Sequence, residues 1–159
     1  GVALSSTKFI IAFEDASNSS YAKTIICDVS GTTITIGTAY TYNTSNSSKY
    51  GIVDKLSSTA VVIAFSETPQ SERGRALIGI YSGTSISYGS QTTYDTASVV
   101  SHSIVAMSET EVVVSYIDKG FLNYGRSIVL TTNIGAATVS VGATTDFNIA
   151  CMNSICSCF

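Results

Sequence analysis

The stretch LSSTAVVIAF, Leu56 to Phe65, decides the fold, because the chain contains it in three versions. LSSTKFIIAF runs from Leu4 to Phe13, and MSETEVVVSY returns from Met107 to Tyr116. The copies begin 52 and then 51 residues apart, at positions 4, 56 and 107, a period typical of stacked or radial repeat units. Each joins an apolar residue to a small polar turn and then to a β-branched and aromatic run. The spacing divides residues 1–150 into three repeats of one domain, at about 1–48, 49–99 and 100–150, followed by a cysteine-rich tail over 151–159.

Working outward through the second repeat, the pattern predicts four short antiparallel strands: A over about Lys49 to Leu56, B over Ala60 to Phe65, C over Arg75 to Tyr81 and D over Ser85 to Tyr94. The A–B turns are Ser5-Ser6-Thr7, Ser57-Ser58-Thr59 and Ser108-Glu109-Thr110. The C–D turns are Ser30-Gly31-Thr32, Ser82-Gly83-Thr84 and a version one residue longer, Asn133-Ile134-Gly135-Ala136. Glycine there supplies the positive φ of a tight hairpin. Strand B is apolar at consecutive positions (Phe9 to Phe13, Ala60 to Phe65, Val112 to Val114), so it is expected to be buried on both faces. Strand D alternates, as at Ile34 and Ile36, Ile86 and Tyr88, Val139 and Val141, and is expected to keep one wet face. The fold class is therefore all-β: three four-stranded antiparallel units of β-propeller-blade type, with a β-sandwich or β-solenoid as the competing arrangements.

Composition narrows the partners. A charged fraction of 12% with 45% hydrophobic residues describes a folded domain. A net charge of −3 lacks the basic footprint that nucleic acid requires. No apolar run reaches the length of a membrane span, so membrane insertion is not expected.

Catalytic patterns are missing. The single histidine, His102, has no partner motif, and Glu14 and Asp15 are adjacent on a strand and so point to opposite faces. No enzyme activity, cofactor or metal site is expected. One acid and one base recur instead: strand B ends at Asp15, Glu67 and Asp118, and strand C begins at Lys23, Arg75 and Arg126, so each unit should close its B–C loop with an ion pair.

Asn18, Asn43 and Asn46 each open an Asn-x-Ser pattern, which in a secreted protein is an acceptor for covalent glycans. Cys27 lies in strand C, and Cys151, Cys156 and Cys158 crowd the tail. A disulfide within the tail, or from the tail to Cys27, fits a secreted protein better than zinc, and Cys27 as a buried small thiol is the alternative.

With these residues in view, the units resemble a family of β-propeller-like tandem repeats in large extracellular proteins of algae, protists and bacteria. The resemblance rests on LSST with its aliphatic strand, on SNSSYAKTIICDVSGTTITIG (Ser17 to Gly37) and on ERGRALIGIYSGTSISYG (Glu72 to Gly89). It covers everything but the tail, and it implies an extracellular structural or surface module.

Three units are too few to close a propeller, which takes four to eight blades. The ends therefore call for cover, and the favoured function is a structural subunit of an extracellular, glycosylated filament, coat or appendage, joined head-to-tail to other copies through repeat ends and strand edges. Phe121, Leu122, Phe147 and Ile149 are candidate inter-chain contacts. The alternative is an oligomeric carbohydrate-binding β-propeller lectin that stacks sugars on Tyr50, Tyr81, Tyr88 and Tyr94; a third reading is a fragment of a longer tandem-repeat protein.

Overall fold

The computed structural model describes residues 1–44, 48–68 and 72–148, with the side chains of Ser48 and Tyr50 left aside. Strands β1 (Val2–Ser5), β2 (Lys8–Asp15), β3 (Tyr21–Ser30) and β4 (Thr33–Asn43) form the first sheet. Strands β5 (Ser48–Lys55), β6 (Ala60–Glu67), β7 (Arg73–Ser82), β8 (Ser85–Tyr88) and β9 (Thr92–Asp95) form the second, with β8 and β9 both paired to β7. The third holds β10 (Val99–Ala106), β11 (Glu111–Asp118), β12 (Tyr124–Asn133) and β13 (Thr138–Asn148). All pairings are antiparallel, and all but that of β7 with β9 join consecutive strands. The chain is thus all-β, as its sequence pattern predicts, with a short 3-10 turn at Lys119–Phe121.

The recurring turn has a local cause. In each unit the Ser hydroxyl accepts from the Thr amide two residues on, at 3.2 Å for Ser5 and Thr7, 3.1 Å for Ser57 and Thr59 and 3.2 Å for Ser108 and Thr110. That fixes the A–B reversal and aims the following apolar run into the sheet. Gly31 and Gly83 adopt φ of 59° and 62° in the first two C–D turns. The third turn is two residues longer rather than one, since Asn133 pairs with Thr138 where Ser30 pairs with Thr33; it places Ala137 at φ 52° and is held by Ala136 N–H donating to Asn133 Oδ1 at 3.0 Å.

The sheets stack face to face with the second in the middle. Alternate residues of β6 part to opposite sides: Val61, Ile63 and Phe65 join Leu4, Ile10, Ile26 and Tyr42 of the first sheet in one core. Val62 and Ala64 join Val112, Val114, Tyr116, Ile128 and Leu130 of the third in another. Full burial of strand B on both faces holds only here, where all of β6 is buried. In β2, Ile10 is buried while Ile11 is exposed, and in β11 Val112 and Val114 are buried while Val113 is half-open. The expectation of a strand B dry on both faces thus fails in the outer units; among the described residues each has only one neighbouring sheet, so one face of its strand B stays wet.

Strand D departs from expectation too. In the second unit it breaks between Tyr88 and Thr92 rather than running on, and in the other two it shifts register beside Gly37 and Gly142. At Gly37, Gly89 and Gly142 a Cβ would lie 2.4, 1.8 and 2.7 Å from the carbonyl oxygens of Ile26, Ala137 and Val129. Only glycine permits these approaches, and at Gly89 the intruding carbonyl belongs to the lengthened turn of the third unit.

Candidate functional site

Equivalent residues follow directly from the pairing. Ile10↔Ile26, Val62↔Ile78 and Val113↔Val129 are the same register pair in the three units. In the first and second units this pair packs on the sheet that follows. The neighbouring residues Phe9, Ile11 and Phe13 correspond to Val61, Ile63 and Phe65, and to Val112, Val114 and Tyr116, which face the preceding sheet in the second and third units. Every unit therefore has a forward face and a rearward face, and forward always meets rearward.

The two faces left over are one of each kind. On the rearward face of the first sheet, Ile34 is 57% exposed, whereas its counterparts Ile86 and Val139 are each 6% exposed beneath a preceding unit. On the forward face of the third sheet, Val129 is 45% exposed, whereas Ile26 and Ile78 are fully buried beneath a following unit. Position within the stack, rather than residue type, sets these exposures.

Each internal junction is keyed by one ring. Tyr42 lies where β4 skips a register step, between Thr41, opposite Lys23, and Asn43, opposite Ala22. It packs edge-on against Phe65 of the second unit at 5.2 Å between centroids. Tyr94 occupies the same skip between Thr93 and Asp95, and its ring lies 5.3 Å from that of Tyr116 in the third unit. Ala22 and Gly74 leave room beside these rings; a Cβ on Gly74 would stand 2.4 Å from Tyr94. In the third unit the skip falls between Asp146, opposite Arg126, and Asn148, opposite Gly125, and the residue within it is Phe147. Phe147 is 51% exposed.

Charged rims accompany the rings, and all three recurring ion pairs form. Lys23 Nζ lies 2.6 Å from Asp15 Oδ2, Arg75 Nη2 2.7 Å from Glu67 Oε2 and Arg126 Nη1 2.5 Å from Asp118 Oδ2. The preceding unit reaches the latter two: Asn43 Nδ2 donates to Glu67 Oε1 at 3.4 Å, and Asp95 Oδ2 accepts from Tyr116 Oη at 2.8 Å and stands 3.9 Å from Arg126 Nη1. Arg126 also donates from Nε to Asp146 at 2.7 Å. Burial raises the Asp118 carboxyl, and the nearby Asp95 charge raises it further against the pull of Arg126. Asp15 moves the other way, held below the usual carboxylate range by its hydrogen bonds from Lys23 and Ser17.

Further polar ties seal the junctions. Thr24 Oγ1 and Tyr88 Oη lie 2.7 Å apart, and burial pushes Tyr88 up to about 12. Ser66 Oγ donates to the Val99 carbonyl at 2.6 Å and lies 3.4 Å from His102 Nε2. This buried Ser–His approach joins two sheets, with the hydroxyl already committed to a carbonyl. Its members are 36 residues apart and in no motif, so sequence reading missed it, and the same holds for the ring keys.

The other singled-out residues scatter. Asn18 is exposed in the β2–β3 turn, while Asn43 is buried at the first junction, where a glycan on Nδ2 would displace its bond to Glu67. Cys27 is a buried thiol opposite Phe9 and Ile36, without a disulfide partner among the described residues. Phe121 packs 5.2 Å from Tyr124 and beneath the Arg126 guanidinium at 4.8 Å, whereas Leu122 is exposed. Tyr81 and Tyr94 are buried. Asn46, Ile149, Cys151, Cys156 and Cys158 lie outside the described residues, as does the side chain of Tyr50.

What fold and site define is an all-β protein of three repeated antiparallel sheets. Comparison with protein-family models, curated proteins and solved structures found no match.

Proposed function

We propose that the chain is a structural subunit of an extracellular filament, coat or appendage, built of three propeller-blade-type units and assembling with other copies of itself. One observation carries the reading: a stack of three sheets in which both terminal faces keep apolar residues open, Ile11, Ile34 and Ile36 at one end and Val129 and Phe147 at the other. Large apolar side chains left open on a sheet face are what association sites offer. The extracellular setting rests on the sequons, among which Asn18 is open to modification, and on the resemblance to secreted repeat proteins.

Sedimentation velocity and negative-stain microscopy of the purified chain test this. Long polydisperse assemblies are the expected result. A single ideal monomer at all concentrations would overturn the reading, and a small closed oligomer that binds a glycan array would replace it with a lectin.

A further inference from the structure

We infer that the partner of each terminal face is the opposite face of a second copy, docked by Phe147 of one chain lying edge-on against Phe13 of the next. The inference deepens the structural-subunit reading and rests on it. Phe147 occupies the register skip that Tyr42 and Tyr94 occupy. Phe13 occupies the strand position of Phe65 and Tyr116, which receive those two rings. Both internal junctions use the same pairing, so the chain contains two completed examples of the contact and, among the described residues, the unmatched halves of a third. The surrounding residues follow suit: Val113 and Val129 would meet Ile11, Ile25 and Ile34, as Val62 and Ile78 meet Val114, Ile128 and Val139.

The rim supports the same partner. Lys23 and Asp15 of the first unit correspond to Arg75 with Glu67 and to Arg126 with Asp118, which the preceding unit's Asn43 and Asp95 overlie. Asn148 holds the position of Asn43 and Asp95, opposite the glycine of β12. A docked copy would set it over the Asp15–Lys23 pair. Joining a forward to a rearward face is heterologous and repeats without limit unless the rotation closes.

Complementation separates this geometry from other modes of assembly. The test uses F13E, which blocks the rearward face, F147E, which blocks the forward face, and F147Y, which installs the residue found at both internal junctions. Each Glu variant alone should sediment as a monomer, with self-association weakened at least tenfold. Their mixture should give a one-to-one dimer and nothing larger, since one good face of each kind remains. F147Y should assemble as the parent does. Both altered side chains are partly open, and circular dichroism and melting of each variant verify that it folds. Assembly of either Glu variant at parental strength, failure of the two folded variants to pair, or loss of assembly in F147Y would each overturn the docking while leaving the structural-subunit reading standing. A parent chain that never associates would defeat that reading first.

Discussion

The first and third units are built to one plan, yet their shared ion pair sits in two environments. Asp118 is covered by the preceding unit, and its carboxylate is 1% exposed, with Arg126, Asp95 and Asp146 crowded around. Among the described residues no other unit covers Asp15, which lies nearer water with Lys23 and Ser17 as partners. One position thus carries a carboxyl raised by burial and another lowered by hydrogen bonding. The lesson is that in a stacked repeat a covering neighbour, together with the local sequence, sets a residue's energetics.

The sharpest way to break that comparison is to truncate the same aromatic at covered and uncovered positions. Phe65→Ala empties a fully buried site and should cost about 3–5 kcal/mol. Phe13→Ala removes a partly wetted ring and should cost the monomer only about 1 kcal/mol. Urea unfolding at concentrations where the chain is monomeric measures both, and equal losses would show that the end face is as well covered as the middle.

Arg126→Ala comes next, because it leaves Asp118, Asp95 and Asp146 without their shared cation. A loss of about 2–3 kcal/mol is expected, below the full cost of orphaning a buried charge because Arg126 is itself partly open. Lys23→Ala, at the uncovered equivalent, should cost visibly less in the same assay.

The opposite pKa directions give a smaller effect of distinctive sign. A raised Asp118 binds its proton more tightly when folded, so its contribution is fully present below the ordinary aspartate range and disappears as pH rises through its folded value. The advantage of the parent over D118N should therefore grow on acidification. Asp15, being lowered, contributes above the ordinary range and loses that contribution as pH falls through its folded value, so the advantage over D15N should shrink. Unfolding curves at neutral and acid pH check both signs. Least of all in stability, but plain in mass, enzymatic glycan removal from native material should lighten the chain at Asn18; an unchanged intact mass would remove the glycoprotein part of the proposal.

Much of this architecture is legible in the sequence. The triplicated LSST turn is a local device, a serine hydroxyl catching an amide two residues on, and local devices read well. The ion pairs read equally well, since the end of strand B and the start of strand C are forced opposite each other. What the pattern could not supply was the order of covering. FIIAF and AVVIAF look alike as strings, yet Ile11 is open and Ile63 sealed, because burial depends on a sheet some fifty residues away in the chain. The ring keys were hidden for a related reason: Tyr42, Tyr94 and Phe147 sit at skips in register, where the two-residue alternation that guides strand reading fails.

Strand β6 carries a further consequence. Uncharged from Ala60 to Phe65 and hemmed by β5, β7 and a sheet on each side, it has the make-up of a fibril-forming hexapeptide whose safety depends wholly on being enclosed. During synthesis it leaves the ribosome before the residues that cap one of its sides exist, so the nascent chain passes through a sticky interval. Once that interval is over, its amide protons should be the last in the molecule to trade with deuterium.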